Sequence, residues 1–181
     1  MFLDGQLQFV TLAGQSLVGA AGVAIPSNGV IDLLGEGVGM PPANIIGNAS
    51  TFGEDPGVGI GSAAPIIQCS VGTAFATGNA ATLNVALQLA ADTGAAGNYQ
   101  PSTWTTIEET GPLAVSLLTA NQIIARLNWS PTLPGLRPRY ARLLFQVPSG
   151  TNFTAGSIAF AGVVIARDDQ ANKQAAKNYT V

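Results

Sequence analysis

Histidine is absent from the 181 residues, and cysteine occurs once, at Cys69. The first absence removes the commonest general base, most zinc sites and the usual hydrolase triads. The second excludes an internal disulfide, so stability does not rest on oxidation. Cys69 sits in the apolar run Ile66 to Val71 and reads as a buried small hydrophobe. Lysine is confined to Lys173 and Lys177, so a Ser–Lys dyad would need the end of the chain to fold back into a pocket. Nothing in the sequence speaks for that. The acidic pairs Glu54-Asp55, Glu108-Glu109 and Asp168-Asp169 are adjacent, and strand neighbours point to opposite faces, so Glu108 and Glu109 cannot converge as paired carboxylates. Gly57-Val58-Gly59-Ile60-Gly61 lacks both the strand-then-helix frame and the Lys-Ser/Thr of a phosphate loop, and reads as a plain loop. We therefore expect neither an enzyme nor a cofactor or metal site.

Charge is the other shortage. Charged residues make up 9% of the chain, against about 25% in ordinary soluble domains. Residues 5–31, 56–91, 110–125 and 143–166 carry none. A soluble monomer keeps charge on its surface, whereas the centres of interfaces are depleted of it. The pattern points to a chain that works assembled with other subunits; a surface of Ser, Thr, Asn and Gln is the plainer alternative. A net charge of −3 and a pI near 4.6 argue against a chain-wide attraction to nucleic acid or anionic membrane. We recognise no export signal, and the early uncharged stretch is too interrupted by Gly14, Gly19, Gly22 and Pro26 for a membrane-crossing helix.

What is present is a succession of short apolar runs cut by 22 glycines and 11 prolines. Residues 5–34 read as a strand, a crossing segment and a second strand. Residues 35–65 lack periodicity and read as a long interaction loop. Thr82 to Ala90 alternates, with Leu83, Val85, Leu87 and Leu89 on one face; Trp104 to Thr110 is rich in β-branched residues. At Thr119-Ala120-Asn121-Gln122 a helix cap and a turn leading to a strand Ile123–Asn128 are both open. Arg137 to Val147 reads as a strand, basic first and apolar after. In Gly156 to Ala166 one face carries Ala159, Ala161, Val163 and Ile165 and the other Ile158, Phe160 and Val164, which implies cover on both sides. Beyond Arg167 the chain turns polar, as a tail or a short helix. The pattern selects an all-β sandwich, barrel or jelly roll: one domain over 1–167 with a polar segment at 168–181, and at most one or two short helices.

The residues that stand out are Arg126, Arg137, Arg139 and Arg142, four of seven positive charges within 17 residues, with Tyr140 among them. Arginine suits bidentate contact with carboxylates. In an acidic chain without neighbouring lysines, ion pairs within or between subunits explain the cluster better than a nucleic-acid patch. Tyr140 and Arg142 share a strand face. Arg139 falls on the other face, with Leu143 and Phe145, so it has to sit at the strand's mouth or be paired. We take these five as candidate interface residues. A sugar-binding module, with Trp104, Trp129, Tyr99 and Tyr140 stacking on carbohydrate, is the competing reading.

Taken in order, Ser27 to Leu33, Thr82 to Gln88, Arg139 to Leu143, and Thr154 to Ile158 with Arg167-Asp168-Asp169-Gln170 resemble the cement, or decoration, proteins of tailed-bacteriophage heads, of the type first described for a Bordetella phage. The longer 35–65 region and the polar C-terminal segment depart from that pattern. The resemblance implies a jelly-roll-like β-sandwich that is made in the host cytoplasm and binds the outside of the capsid. It further implies bridging of neighbouring major capsid proteins and self-association as a dimer or trimer.

Overall fold

A computed structural model describes residues 8–11, 13–19, 22, 24–32, 66–93, 100–128 and 138–164. The expectations for 35–65, Arg137, Tyr99, Trp129 and 168–181 lie outside the described residues. The strands, in chain order, are β1 (Gln8–Val10), β2 (Gln15–Ser16), β3 (Ala24–Pro26), β4 (Ile31–Asp32), β5 (Ile66–Val71), β6 (Ala76–Thr77), β7 (Thr82–Ala90), β8 (Thr105–Glu109), β9 (Leu113–Ala114), β10 (Ile123–Asn128), β11 (Tyr140–Gln146), β12 (Phe153–Ala155) and β13 (Ser157–Val164). Among the described residues the only helical element is a single 3-10 turn, Val115–Leu117.

Two antiparallel sheets face each other. The first runs β1-β13-β5-β10, with β2 also on β13; the second runs β3-β11-β7-β8, with β4 continuing beside β11 and β9 on β7. The fold is an all-β sandwich. Alternation explains most of the core: Ile67, Cys69 and Val71 from β5 meet Leu83, Val85, Leu87 and Leu89 from β7 and Ala141, Leu143 and Phe145 from β11. Removing any one of the large side chains among them would cost about 2–5 kcal/mol. The N-terminal strand lies in one sheet and β3 and β4 in the other, so the crossing segment read from the sequence is there.

Both sides of the sandwich are stitched. Between β3 and β4 the strand breaks, and Ser27 repairs it: its hydroxyl accepts from the Leu143 N–H at 3.0 Å and donates to the Gly29 carbonyl at 2.8 Å. The Gly29 N–H then donates to the Phe9 carbonyl across the gap, at 2.8 Å. On the far side Glu108, from edge strand β8, accepts from the Asn128 backbone N–H at 2.8 Å and from its side-chain amide at 3.2 Å. A carboxylate thus occupies part of the open edge of β10, a common device against unwanted strand pairing.

Two local readings resolve here. Asn121 adopts a left-handed conformation, φ 63°, and the chain turns into a strand rather than a helix. The final strand requires a correction. A bulge between Ile158 and Phe160 makes Ile158, Ala161 and Val163 all face the core, with Ala159 exposed. One extra residue shifts the phase of every side chain after it, so strict alternation assigned Ile158 and Ala159 to the wrong faces. Cover on both sides is still real, since Phe160 and Val164 on the outward face are also buried.

Candidate interaction surfaces

Strand β11 enters from the end of the sandwich where β4 and β7 finish, and this register assembles the charged cluster. Tyr140 pairs with Asp32 on one side and Ala90 on the other. Arg139, one residue earlier, is held by its own N–H donating to the Ala90 carbonyl at 2.9 Å. Its guanidinium lies between two carboxylates. Nε and Nη2 donate to Asp32 at 3.0 to 3.2 Å, and Nη1 donates to Asp92 Oδ2 at 2.7 Å. Burial lowers the guanidinium's pKa, but the hydrogen bonds and charges of Asp32, with help from Tyr140 and Asp92, outweigh it and raise the value overall. Arg139, expected at an interface, is paired within the chain, at the strand's mouth.

Arg142 is provided for differently. Its Nε donates to Gln88 Oε1 at 2.9 Å, and its guanidinium carbon lies 4.1 Å from the centre of the Trp104 ring. Gln88 is buried, and its Nε2 donates to Thr106 at 3.2 Å, which fixes the amide with its oxygen toward the arginine. Burial pushes the Arg142 pKa down. Trp104 also packs against Val30, Ala90 and Tyr140, a small apolar cluster on the outward face of the second sheet. Tyr140 is wholly buried there, and one face of Trp104 is covered by Arg142, so neither is a free platform for a sugar. Arg126 stands apart, exposed on edge strand β10 of the other sheet. It borders a shallow groove of about 490 Å³ lined by Asn121 to Arg126. The structure therefore brings Arg139, Tyr140 and Arg142 together and leaves Arg126 on another surface.

The opposite end of the sandwich was not anticipated as a surface. Four loops meet there through backbone hydrogen bonds. Leu17 and Gly19 N–H donate to the carbonyls of Gly156 and Phe153, Gly72 N–H to that of Ser157, Phe75 N–H to that of Leu118, and Asn121 N–H to that of Val71. Asn79 and Thr77 reach Asn152, at 3.0 Å to its side chain and 2.8 Å to its carbonyl. Beneath them Phe75 and Phe153 meet edge to face, with ring centres 4.7 Å apart. Gly156, at φ 142°, passes so close that a Cβ there would fall inside the Phe75 ring. None of these loop residues is charged; every charged residue among the described ones lies at mid-sheet or beyond, toward Arg139. The end nonetheless exposes two large aliphatic side chains, Val18 at 53% and Leu117 at 57%. The four charge-free segments were visible in the sequence; that they converge on one end required the fold.

Among the described residues no group of His, Cys, Asp or Glu is placed to hold a metal ion, and no helix is long and apolar enough to cross a membrane. Cys69 is buried, and its thiol pKa is pushed up to about 12 by burial. No family model matches the chain, and no curated protein is similar to it.

Proposed function

We propose that the chain is a structural virion protein, a cement protein that binds the outer surface of a tailed-phage head, bridges neighbouring major capsid proteins and stabilises the shell. The observation that carries this reading is the uncharged loop end with Val18 and Leu117 exposed. Uncharged surface that exposes large aliphatic side chains is well suited to the centre of an interface. The sequence resemblance supplies the identity of the partner, the jelly-roll connectivity, the homo-oligomeric state and the location on the capsid exterior. The chemistry of catalysis finds little support: the chain has no histidine, and its cysteine is held as an inert thiol. Heads prepared with and without the protein test the proposal. Heads lacking it should release DNA at a lower temperature, and adding the purified chain back should restore resistance. Equal resistance with and without it would defeat the reading.

A further inference from the structure

Arg139 and Arg142 lie three residues apart, yet among the described residues only Arg139 meets a carboxylate. Arg139 has Asp32 and Asp92. Arg142 has a neutral amide at Nε and an aromatic face, and among the described residues no carboxylate forms an ion pair with it. The residue is only half-buried. The contact with Trp104 and the bond to Gln88 together restrain the guanidinium. A planar fork of N–H donors is thereby held ready, with its outer edge open.

We infer that Arg142 and Trp104 form a receptor for a carboxylate, an Asp or Glu side chain that a docked protein subunit lays against the Nη edge. The described carboxylates of this chain are already engaged: Asp32 and Asp92 with Arg139, Glu108 with Asn128, Glu109 with Asn84 at 2.8 Å. The acid is that of a docked subunit, which on the reading above is the shell subunit. A phosphodiester chain fits less well. It calls for several cations together, whereas Arg139 is neutralised and Arg126 is on the other sheet.

Two measurements on the full chain test this separately from the proposed function. In the first, arginine side-chain ¹⁵N resonances are followed while N-acetyl-glutamate-N-methylamide, its glutamine counterpart, or inorganic phosphate is added. The Arg142 Nη signals should respond to the glutamate probe at concentrations at least tenfold lower than Arg126 does, and not to the glutamine probe. Equal responses at the two arginines, or a stronger response to phosphate, would overturn the inference. In the second, wild type, Arg142→Lys and Arg142→Gln are titrated onto heads lacking the protein, after equal urea midpoints show that all three fold. Affinity should fall tenfold or more for Arg142→Gln and by less for Arg142→Lys, and the salt dependence of binding should shrink in the former. Heads that bind Arg142→Gln as tightly as wild type would also overturn it. A wild-type chain that ignores heads but passes the first measurement keeps the carboxylate receptor and removes the shell as its partner.

Discussion

The two ends of the sandwich satisfy their polar groups by different means. At the Arg139 end, side-chain charges meet one another inside the chain: one guanidinium is bonded to two carboxylates drawn from β4 and from just beyond β7. At the Phe75 end the loops are joined by backbone hydrogen bonds and by the amides of Asn79 and Asn152, with no charge at all. The first end is specified by pairing and the second by shape. An ion cluster turned inward leaves little to offer a partner, Arg142 excepted. Loops tied together by backbone hydrogen bonds, and whose exposed side chains are uncharged, can be covered without stranding a charge. Among the described residues depletion of charge is local: it marks one end of the sandwich rather than the whole surface.

The comparison breaks first if the charged end is not held by its pairs. Arg139→Ala should lower unfolding stability by about 3–5 kcal/mol in guanidinium titrations, because it removes the guanidinium that neutralises buried Asp32 and part-buried Asp92. An unchanged midpoint would mean that water solvates the cluster and that the end is not specified by pairing. At the other end the counterpart is Gly156→Ala. A Cβ in the Phe75 ring, at a φ that L residues avoid, should cost about 2–4 kcal/mol and lower the melting temperature by several degrees. Should this variant melt with wild type, shape is not what orders the loops.

A group in the core between the two ends provides a reference. The Cys69 thiol is held up to about 12, above its unfolded value, so the folded chain keeps a proton that the unfolded chain loses above about pH 9. Stability should therefore fall as pH rises from 9 toward 12, by up to about 1.4 kcal/mol per unit. The slope should be shallower in Cys69→Ala, and native wild type should resist alkylation at pH 9. The smallest effect on the fold belongs to Val18→Asp combined with Leu117→Asp. Stability should stay within about 0.5 kcal/mol of wild type, since both residues are exposed. Binding to heads, or the assembled mass measured by sedimentation, should nonetheless drop sharply. If assembly survives, the uncharged end is not the contact.

The parts of the fold carried by local pattern were legible. Leu83 to Leu89 alternates without interruption, and β7 is the strand it describes. Glu108 and Glu109 were expected on opposite faces, and they reach different neighbours, Asn128 and Asn84. Tyr140 and Arg142 do share a face. What was not legible depended on one extra residue or on long separation. Nothing before Ala159 announces the bulge, because alanine suits either face and the residues around it are apolar. Asp32 and Asp92 stand 107 and 47 residues from Arg139, and no spacing rule joins them. Trp104 gave no sign of its arginine, since a cation–π contact reaching across β7 from the start of β8 to β11 leaves no trace within either segment.

One pairing described above also bears on how the protein is made. Strand β1 lies against β13, with Gln8 opposite Gly162, so the first described strand finds its place only after the last has been synthesised. Until then β5 lacks its central neighbour, and the core residues Phe9 and Val10 have no sheet to join. Loop closure over such a separation makes folding slow, in the millisecond-to-second range of all-β topologies. Partly made chains with bare strand edges are prone to associate. A protein built this way depends on completing its chain before it meets another copy, and its yield should fall as expression is driven faster or hotter.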